Sequence, residues 1–112
     1  MTVAEVVEAL HLEVCSGKKG LGRDVRGGQS SDLLSDVLTR GSQDFIWITV
    51  HNHKNVISIA SLKKLAAVII VNGLKPTADS IQKSDADGIP ILTTTMSAFE
   101  TAGRLYTLIR TL

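Results

Sequence analysis

The apolar run Phe45-Ile46-Trp47-Ile48-Thr49-Val50 is too short for a helix and is rich in β-branched and aromatic residues. Runs of this kind are typical of strands that are covered on both faces, as the strands of a parallel sheet are. Two further runs, at 67–71 and 89–93, have the same character. The three runs therefore predict the centre of a parallel sheet.

A helical pattern follows each of these strands. We expect helices at about 54–64, from Pro76-Thr77 to Gly88, and after a capping box that runs from Ser97 to Glu100. The last helix is expected to present one face, formed by Phe99, Ala102, Gly103 and Tyr106. Because strand–helix units connect through right-handed crossovers, this order predicts an α/β class, a layered domain with a mostly parallel sheet flanked by helices.

The N-terminal third is predicted to begin with a helix capped by Thr2 and Glu5, followed by a short strand at 12–15. That strand is expected to add an edge to the sheet, in either direction. Glycines then punctuate an irregular stretch, which we interpret as a flexible loop with an extended segment at 24–26. The next helix is expected to be capped by Ser30 or Ser31, to end at Gly41 and to carry an apolar stripe of Leu33, Leu34, Val37 and Leu38.

Length and composition narrow the class of protein. The 112 residues predict one domain over 1–112, and 12 basic against 11 acidic side chains give a formal net charge of +1. Since no basic stripe is present, we expect no nucleic acid partner. Since no apolar run approaches about 20 residues, we expect no membrane partner. The acidic Glu5 near the N-terminus is atypical of a signal peptide, so the cytoplasm is the expected location.

Polar residues cluster where the three predicted strands end. Ligands bind at this edge of open parallel sheets, and helix N-termini there favour anions. The set comprises His51, Asn52 and His53 after the first strand, Asn72 and Gly73 after the second, and Thr93, Thr94 and Thr95 after the third. An alternative interpretation is that Asn52, His53 and Thr95 cap their own helices and that Asn72-Gly73 forms a turn.

Motifs for catalysis or metal binding are not found in the sequence. His51 and His53 lie two residues apart, but nothing supplies the further ligands that zinc needs. The glycine-rich stretch at 17–22 does not have the residue order of a phosphate-binding P-loop. We therefore expect no metal, no cofactor and no catalytic residues. Were the protein an enzyme, only His51 or His53 could act as its general base.

The stretch Asp24-Val25-Arg26-Gly27-Gly28, followed by Ser31-Asp32-Leu33-Leu34-Ser35-Asp36-Val37-Leu38, resembles the DRTGG domain. The resemblance continues over most of the chain, through 46–49, Asn55, 67–73, 88–93 and 97–100. Val25 and Arg26 stand where the family signature has Arg and Thr. The resemblance adds Gly27, Gly28, Asp32 and Asn55 to the candidate ligand-binding residues.

The DRTGG resemblance also implies a layered α/β fold and a role without catalysis. Such domains occur alone, beside nucleotide-binding CBS domains, and ahead of the catalytic domain of some phosphate acetyltransferases. They are similar to the N-terminal, non-catalytic domain of HPr kinase/phosphorylase. These contexts imply a sensing or assembly role.

Two functions remain open from the sequence. The first is a regulatory domain that binds an anionic metabolite or a nucleotide at the strand ends. The second is a protein-interaction or homodimerisation module, because apolar residues spread around more than one face of the last helix, at Leu105, Tyr106, Leu108 and Ile109.

Overall fold

The computed structural model describes residues 1–111. The strands within that range are β1 (Glu13–Ser16), β2 (Gly27–Ser30), β3 (Phe45–Thr49), β4 (Ala67–Ile70) and β5 (Ile91–Thr93). The helices are α1 (Val3–Leu10), α2 (Leu34–Arg40), α3 (Lys54–Leu62), α4 (Ala78–Asp87) and α5 (Ala98–Arg110), with a short 3₁₀ turn at Lys18–Gly20.

The strands form one sheet in the order β1-β5-β4-β3-β2, in which β2 to β5 are parallel. Helices cover both of its faces, as the unbroken apolar strands predict. Ile46 and Ile48 pack with α1 and α5, while Trp47 packs with α2 and α3 on the opposite face. The predicted α/β class with a mostly parallel sheet is therefore confirmed.

The structure decides the direction of the predicted N-terminal edge strand and moves the strand at the other edge. The N-terminal strand β1 runs antiparallel to β5, with Glu13 opposite Thr93. At the other edge, the extended segment predicted at 24–26 contributes only an isolated bridge from Asp24 to Thr2, and the strand β2 begins just after it. The sequence did not indicate a strand here because glycine has a low intrinsic propensity for strands. Gly27 and Gly28 are nevertheless part of β2, because they pair with Phe45 and Ile46 of β3.

Two of the predicted N-caps are confirmed and one is wrong. Thr2 forms the full capping box with Glu5, and the Ser97 hydroxyl accepts the N–H of Glu100. The cap predicted at Ser30 or Ser31 is wrong, because Ser30 ends β2 and the Ser31 hydroxyl accepts the Leu33 N–H before α2 begins. Of the stripe expected on α2, only Val37 is buried. The predicted end at Gly41 is confirmed.

The face of α5 that contacts the core is not the predicted one. Thr101 and Leu105 are buried, whereas Phe99 is 89% exposed and Tyr106 is 65% exposed. The reason is that α5 packs across β2 with Leu105 against Gly28, so that only Ala102 of the predicted face packs against the core.

The glycine-rich stretch is packed rather than flexible. Gly17 has a φ of +70°, and a Cβ at this position would lie 2.4 Å from the Ile89 carbonyl oxygen. Its N–H donates to the Asp85 carboxylate at 2.7 Å. The loop is therefore fixed against the segment that leads into β5.

Candidate functional site

The loops that follow β3, β4 and β5 meet at one edge of the sheet, which we call the carboxyl edge. The loops after β3 and β4 lead to α3 and α4 on one face, whereas the loop after β5 leads to α5 on the other. Adjacent parallel strands whose connections diverge in this way form the switch point at which open α/β sheets bind ligands. Because β1 is antiparallel, its first residue Glu13 also lies at this edge.

The crevice at the switch point is partly closed by the chain itself. Asn72 donates its N–H to the Met96 carbonyl, and Gly73 donates its N–H to the Thr94 carbonyl, both at 2.9 Å. Asn72 and Gly73 have φ values of 62° and 73°, so the predicted turn is confirmed. Thr95 is not a cap, because Ser97 occupies that position.

A surface pocket of about 290 Å³ remains beside this turn, and we call it the switch-point pocket. It includes four of the predicted site residues together with side chains that the sequence did not single out. Lys75 and Glu13 form a long ion pair of 3.9 Å there. The pocket is lined by His11, Glu13, Gly73, Lys75, Thr93, Thr94 and Thr95.

Asn52 connects the β3 loop to the start of α4. Its side-chain amide donates to the Lys75 carbonyl at 2.6 Å. Its own carbonyl accepts the Thr77 N–H at 3.1 Å and the Ser80 hydroxyl at 2.8 Å. The side-chain nitrogen and the backbone carbonyl of Asn52 are thus engaged within the protein, and the residue is not the N-cap that the alternative interpretation assigned to it.

Asp32 and His51 join the ends of β2 and β3. The Asp32 carboxylate accepts the Thr49 hydroxyl at 3.1 Å and the Val50 N–H at 3.0 Å. The His51 Nε2 atom lies within hydrogen-bond distance of the Asp32 carbonyl. These bonds give both residues a structural role, and ligand binding by either of them stays a prediction.

A second pocket, of about 320 Å³, lies at the start of α3, and we call it the α3 pocket. His53 is the N-cap residue, as the alternative interpretation proposed, but within residues 1–111 its side chain makes no capping hydrogen bond. The first N–H groups of a helix have no intrahelical partner and carry a partial positive charge. The pocket is lined by His53, Lys54, Asn55 and Asp79, and the His51 ring lies 5.4 Å from that of His53.

Asp79 places a negative charge beside the Lys54 ammonium and the first N–H groups of α3. A hydrogen bond from the Thr77 hydroxyl is the main cause that lowers the pKa of Asp79 below its ordinary value, and the Lys54 ammonium lowers it further. Asp79 is therefore ionised at neutral pH. The α3 pocket combines hydrogen-bond donors and a cation with one carboxylate.

Gly27 and Gly28 lie apart from both pockets, on β2. A Cβ at Gly27 would lie 2.8 Å from the Phe45 ring, and one at Gly28 would lie 2.9 Å from a methyl group of Leu105. Neither glycine is among the residues with positive φ. Close packing therefore accounts for the two glycines, and the backbone conformation does not require them.

Side chains of the carboxyl edge that sequence reasoning missed include His11, Glu13, Lys54, Lys75 and Asp79. Lys54 and Lys75 could have been found, because each follows a predicted strand end within a few residues. His11 and Glu13 could not, since they reach this edge only because β1 is antiparallel.

Residues 1–111 hold no group of three or more His, Cys, Asp or Glu side chains that could bind a metal ion. None of the helices in this range has the length and apolar character to cross a membrane.

The resemblance along the sequence points to one family, and the match to that family decides it. The model of the DRTGG domain matches residues 5–108. The chain belongs to the DRTGG domain family. The resemblance seen in the sequence is thereby confirmed, although Val25 and Arg26 depart from the signature.

A solved structure similar to this DRTGG domain is that of the CBS and DRTGG domains of the regulatory region of Clostridium perfringens pyrophosphatase, complexed with its activator, diadenosine tetraphosphate. The two share 17% sequence identity and superpose with a TM-score of 0.70 over 99% of the present chain. The present chain covers 47% of the pyrophosphatase chain, so the two proteins share a fold over about half of that chain. No curated protein sequence matches the chain.

Proposed function

We propose that this DRTGG domain is a non-catalytic regulatory module that binds a small anionic metabolite, with nucleotides as the favoured class. The observation that carries the proposal is the α3 pocket, where His53 and Lys54 surround a helix start without a side-chain cap among the described residues. Anions are stabilised at such positions by free N–H groups and by the helix dipole. The pyrophosphatase region of the same fold, which is complexed with a nucleotide activator, supports this class of ligand.

Asp79 favours a nucleotide over a simple phosphate ion. A carboxylate repels a bare anion, but it accepts hydrogen bonds from the hydroxyl groups of a ribose, as acidic residues of dinucleotide-binding sites do. A ligand that carries both phosphate and sugar groups matches the mixed charge of Lys54 and Asp79.

The contacts of His51 also fit a regulatory role better than a catalytic one. The sequence left only His51 and His53 as candidate general bases, and His51 is held against the Asp32 carbonyl. We therefore propose binding without catalysis, in the cytoplasm, where nucleotides and phosphorylated metabolites are available.

Ligand screening by thermal shift tests the proposal. A nucleotide at about 100 times its dissociation constant is expected to add about 2.7 kcal/mol to the free energy of unfolding. Asn55→Ala provides the matched variant: Asn55 is exposed in the first turn of α3, so its loss should leave the melting temperature of the free protein nearly unchanged and abolish the ligand-induced shift. A flat response to nucleotides and phosphorylated metabolites would contradict the proposal.

Asp79→Asn tests whether the α3 pocket prefers a nucleotide to inorganic phosphate or pyrophosphate. We expect the substitution to strengthen the binding of inorganic phosphate or pyrophosphate, since it removes a like charge, and to weaken nucleotide binding about 10-fold, since a charged acceptor for the ribose is lost. Isothermal titration of both ligands with both proteins measures the effect. Equal changes for the two ligands would assign Asp79 a purely electrostatic role.

A protein-interaction or homodimerisation role is the second candidate, and exposed apolar side chains favour it. Tyr106 is 65% exposed on α5, and Leu33 is 64% exposed at the start of α2. Tyr106 also lines an apolar groove between α5 and β2 together with Leu105 and Ile109, and exposed apolar surface of this kind is typical of association sites. Homodimerisation is compatible with ligand binding, because these residues lie outside both pockets of the carboxyl edge.

A further inference from the structure

The two edges of the sheet are protected very differently. Edge strands are usually guarded by charged side chains, proline or a bulge, because unpaired N–H and C=O groups attract other strands. β1 has a charged residue, Glu13, and an irregularity between Val14 and Ser16. β2 consists of Gly-Gly-Gln-Ser, and its register with β3 is regular. The β2 edge therefore has neither a charge nor a bulge.

Hydrogen-bonding groups point outward from this edge. Ser31, which follows β2, donates its N–H to the Ile48 carbonyl at 3.1 Å, on the side of β3. Backbone groups of successive strand residues point in opposite directions, so those of Gly28 and Ser30 are directed away from β3. Since β2 ends the sheet within the described residues, these groups face solvent.

Apolar side chains flank the β2 edge on both faces of the sheet. On one face, a groove of about 390 Å³ runs between β2 and α5, with Tyr106 and Ile109 in its lining. On the other face, α2 carries Leu33 and Leu38, which are 64% and 42% exposed. A single extended peptide could cover only one of these surfaces at a time. A partner that covers both must bring a sheet with helices on its two faces.

We propose that the β2 edge pairs with β2 of a second copy of this chain, across a two-fold axis. An antiparallel register centred on Gln29 sets Gly28 opposite Ser30 of the second copy and satisfies all the outward groups of both residues. It also sets Arg26, which is 77% exposed, opposite Asp32 of the second copy. The result is one continuous sheet of ten strands, with α5 beside its counterpart on one face and α2 beside its counterpart on the other.

The inference rests on the second candidate function, homodimerisation, and names its surface. Tyr106→Glu places a charge in the α5 contact near the axis, so the dimer dissociation constant is expected to rise about 100-fold or more. Leu62→Glu is the matched control, because Leu62 is a similarly exposed apolar residue on α3, which packs over β4 and not over β2. Sedimentation velocity over a concentration series measures all three proteins, and the control is expected to dimerise like the wild type.

Amide exchange followed by NMR reports on the strand pairing itself. The Gly28 and Ser30 amides are expected to be protected in the wild-type dimer and to exchange at least about 100-fold faster in Tyr106→Glu at a concentration at which only the wild type is dimeric. A wild-type protein that is monomeric near millimolar concentration would overturn both the homodimer and this surface. A dimer that survives Tyr106→Glu, or in which these two amides exchange freely, would overturn the surface alone.

Discussion

Gly17→Ala is expected to lower the free energy of unfolding by about 3 kcal/mol. At a φ of +70° an alanine is strained by about 1–2 kcal/mol, and its Cβ would lie 2.4 Å from the Ile89 carbonyl oxygen, 2.6 Å from the carbonyl carbon and 2.7 Å from the Pro90 Cα. All three atoms belong to backbone, so no side chain can rotate away. The loss is a large part of the roughly 5–15 kcal/mol that stabilises a domain of this kind.

Chemical denaturation of the two proteins measures this difference, and the melting temperature should fall by roughly 10–20 °C. Gly22→Ala is the control in the same loop, because its φ is not in the left-handed region and no described atom lies within 4 Å of a Cβ there. It should change stability by less than about 0.5 kcal/mol. If both variants were equally stable, the loop would be flexible, as the sequence alone indicated.

Lys54→Glu is expected to weaken the binding of a nucleotide identified by screening about 100-fold. The substitution replaces a cation with an anion at the start of α3, where the ligand phosphate is proposed to lie. A hydrogen bond to a charged group contributes about 1.5–3 kcal/mol, and repulsion from the new carboxylate adds to the loss. The free protein should remain folded, because Lys54 is exposed and a glutamate is favourable near a helix N-terminus.

Isothermal titration at fixed ionic strength measures this effect. Lys18→Glu makes the same change of charge at an exposed position that lines a different pocket, beside Ser16 at the end of β1. It is expected to change the affinity by less than about 3-fold, because ions screen a charge at long range. An equal loss in the two variants would indicate a general attraction of anions and would contradict a ligand site at α3.

Tertiary packing decided which polar side chains of the carboxyl edge form hydrogen bonds within the protein. The sequence identified the loops of the carboxyl edge correctly, but most of the predicted groups there bond to the protein itself. Asn52 joins two loops, and the carboxylate of Asp32 accepts bonds from Thr49 and Val50. Whether a polar side chain is free or engaged depends on contacts between residues distant in sequence, which no local pattern reveals.

The sequence by itself determined the class of the fold, because continuous apolar strands such as 45–49 are stable only when helices cover both faces of a parallel sheet. It also determined the family, through a resemblance that extends along most of the chain. Only the tertiary structure decided the direction of β1, the pairing of Gly27 and Gly28 with β3, and the face of α5 that is buried. The physical reason is that edge strands and amphipathic helices satisfy their local preferences in several arrangements, and side-chain packing selects one of them.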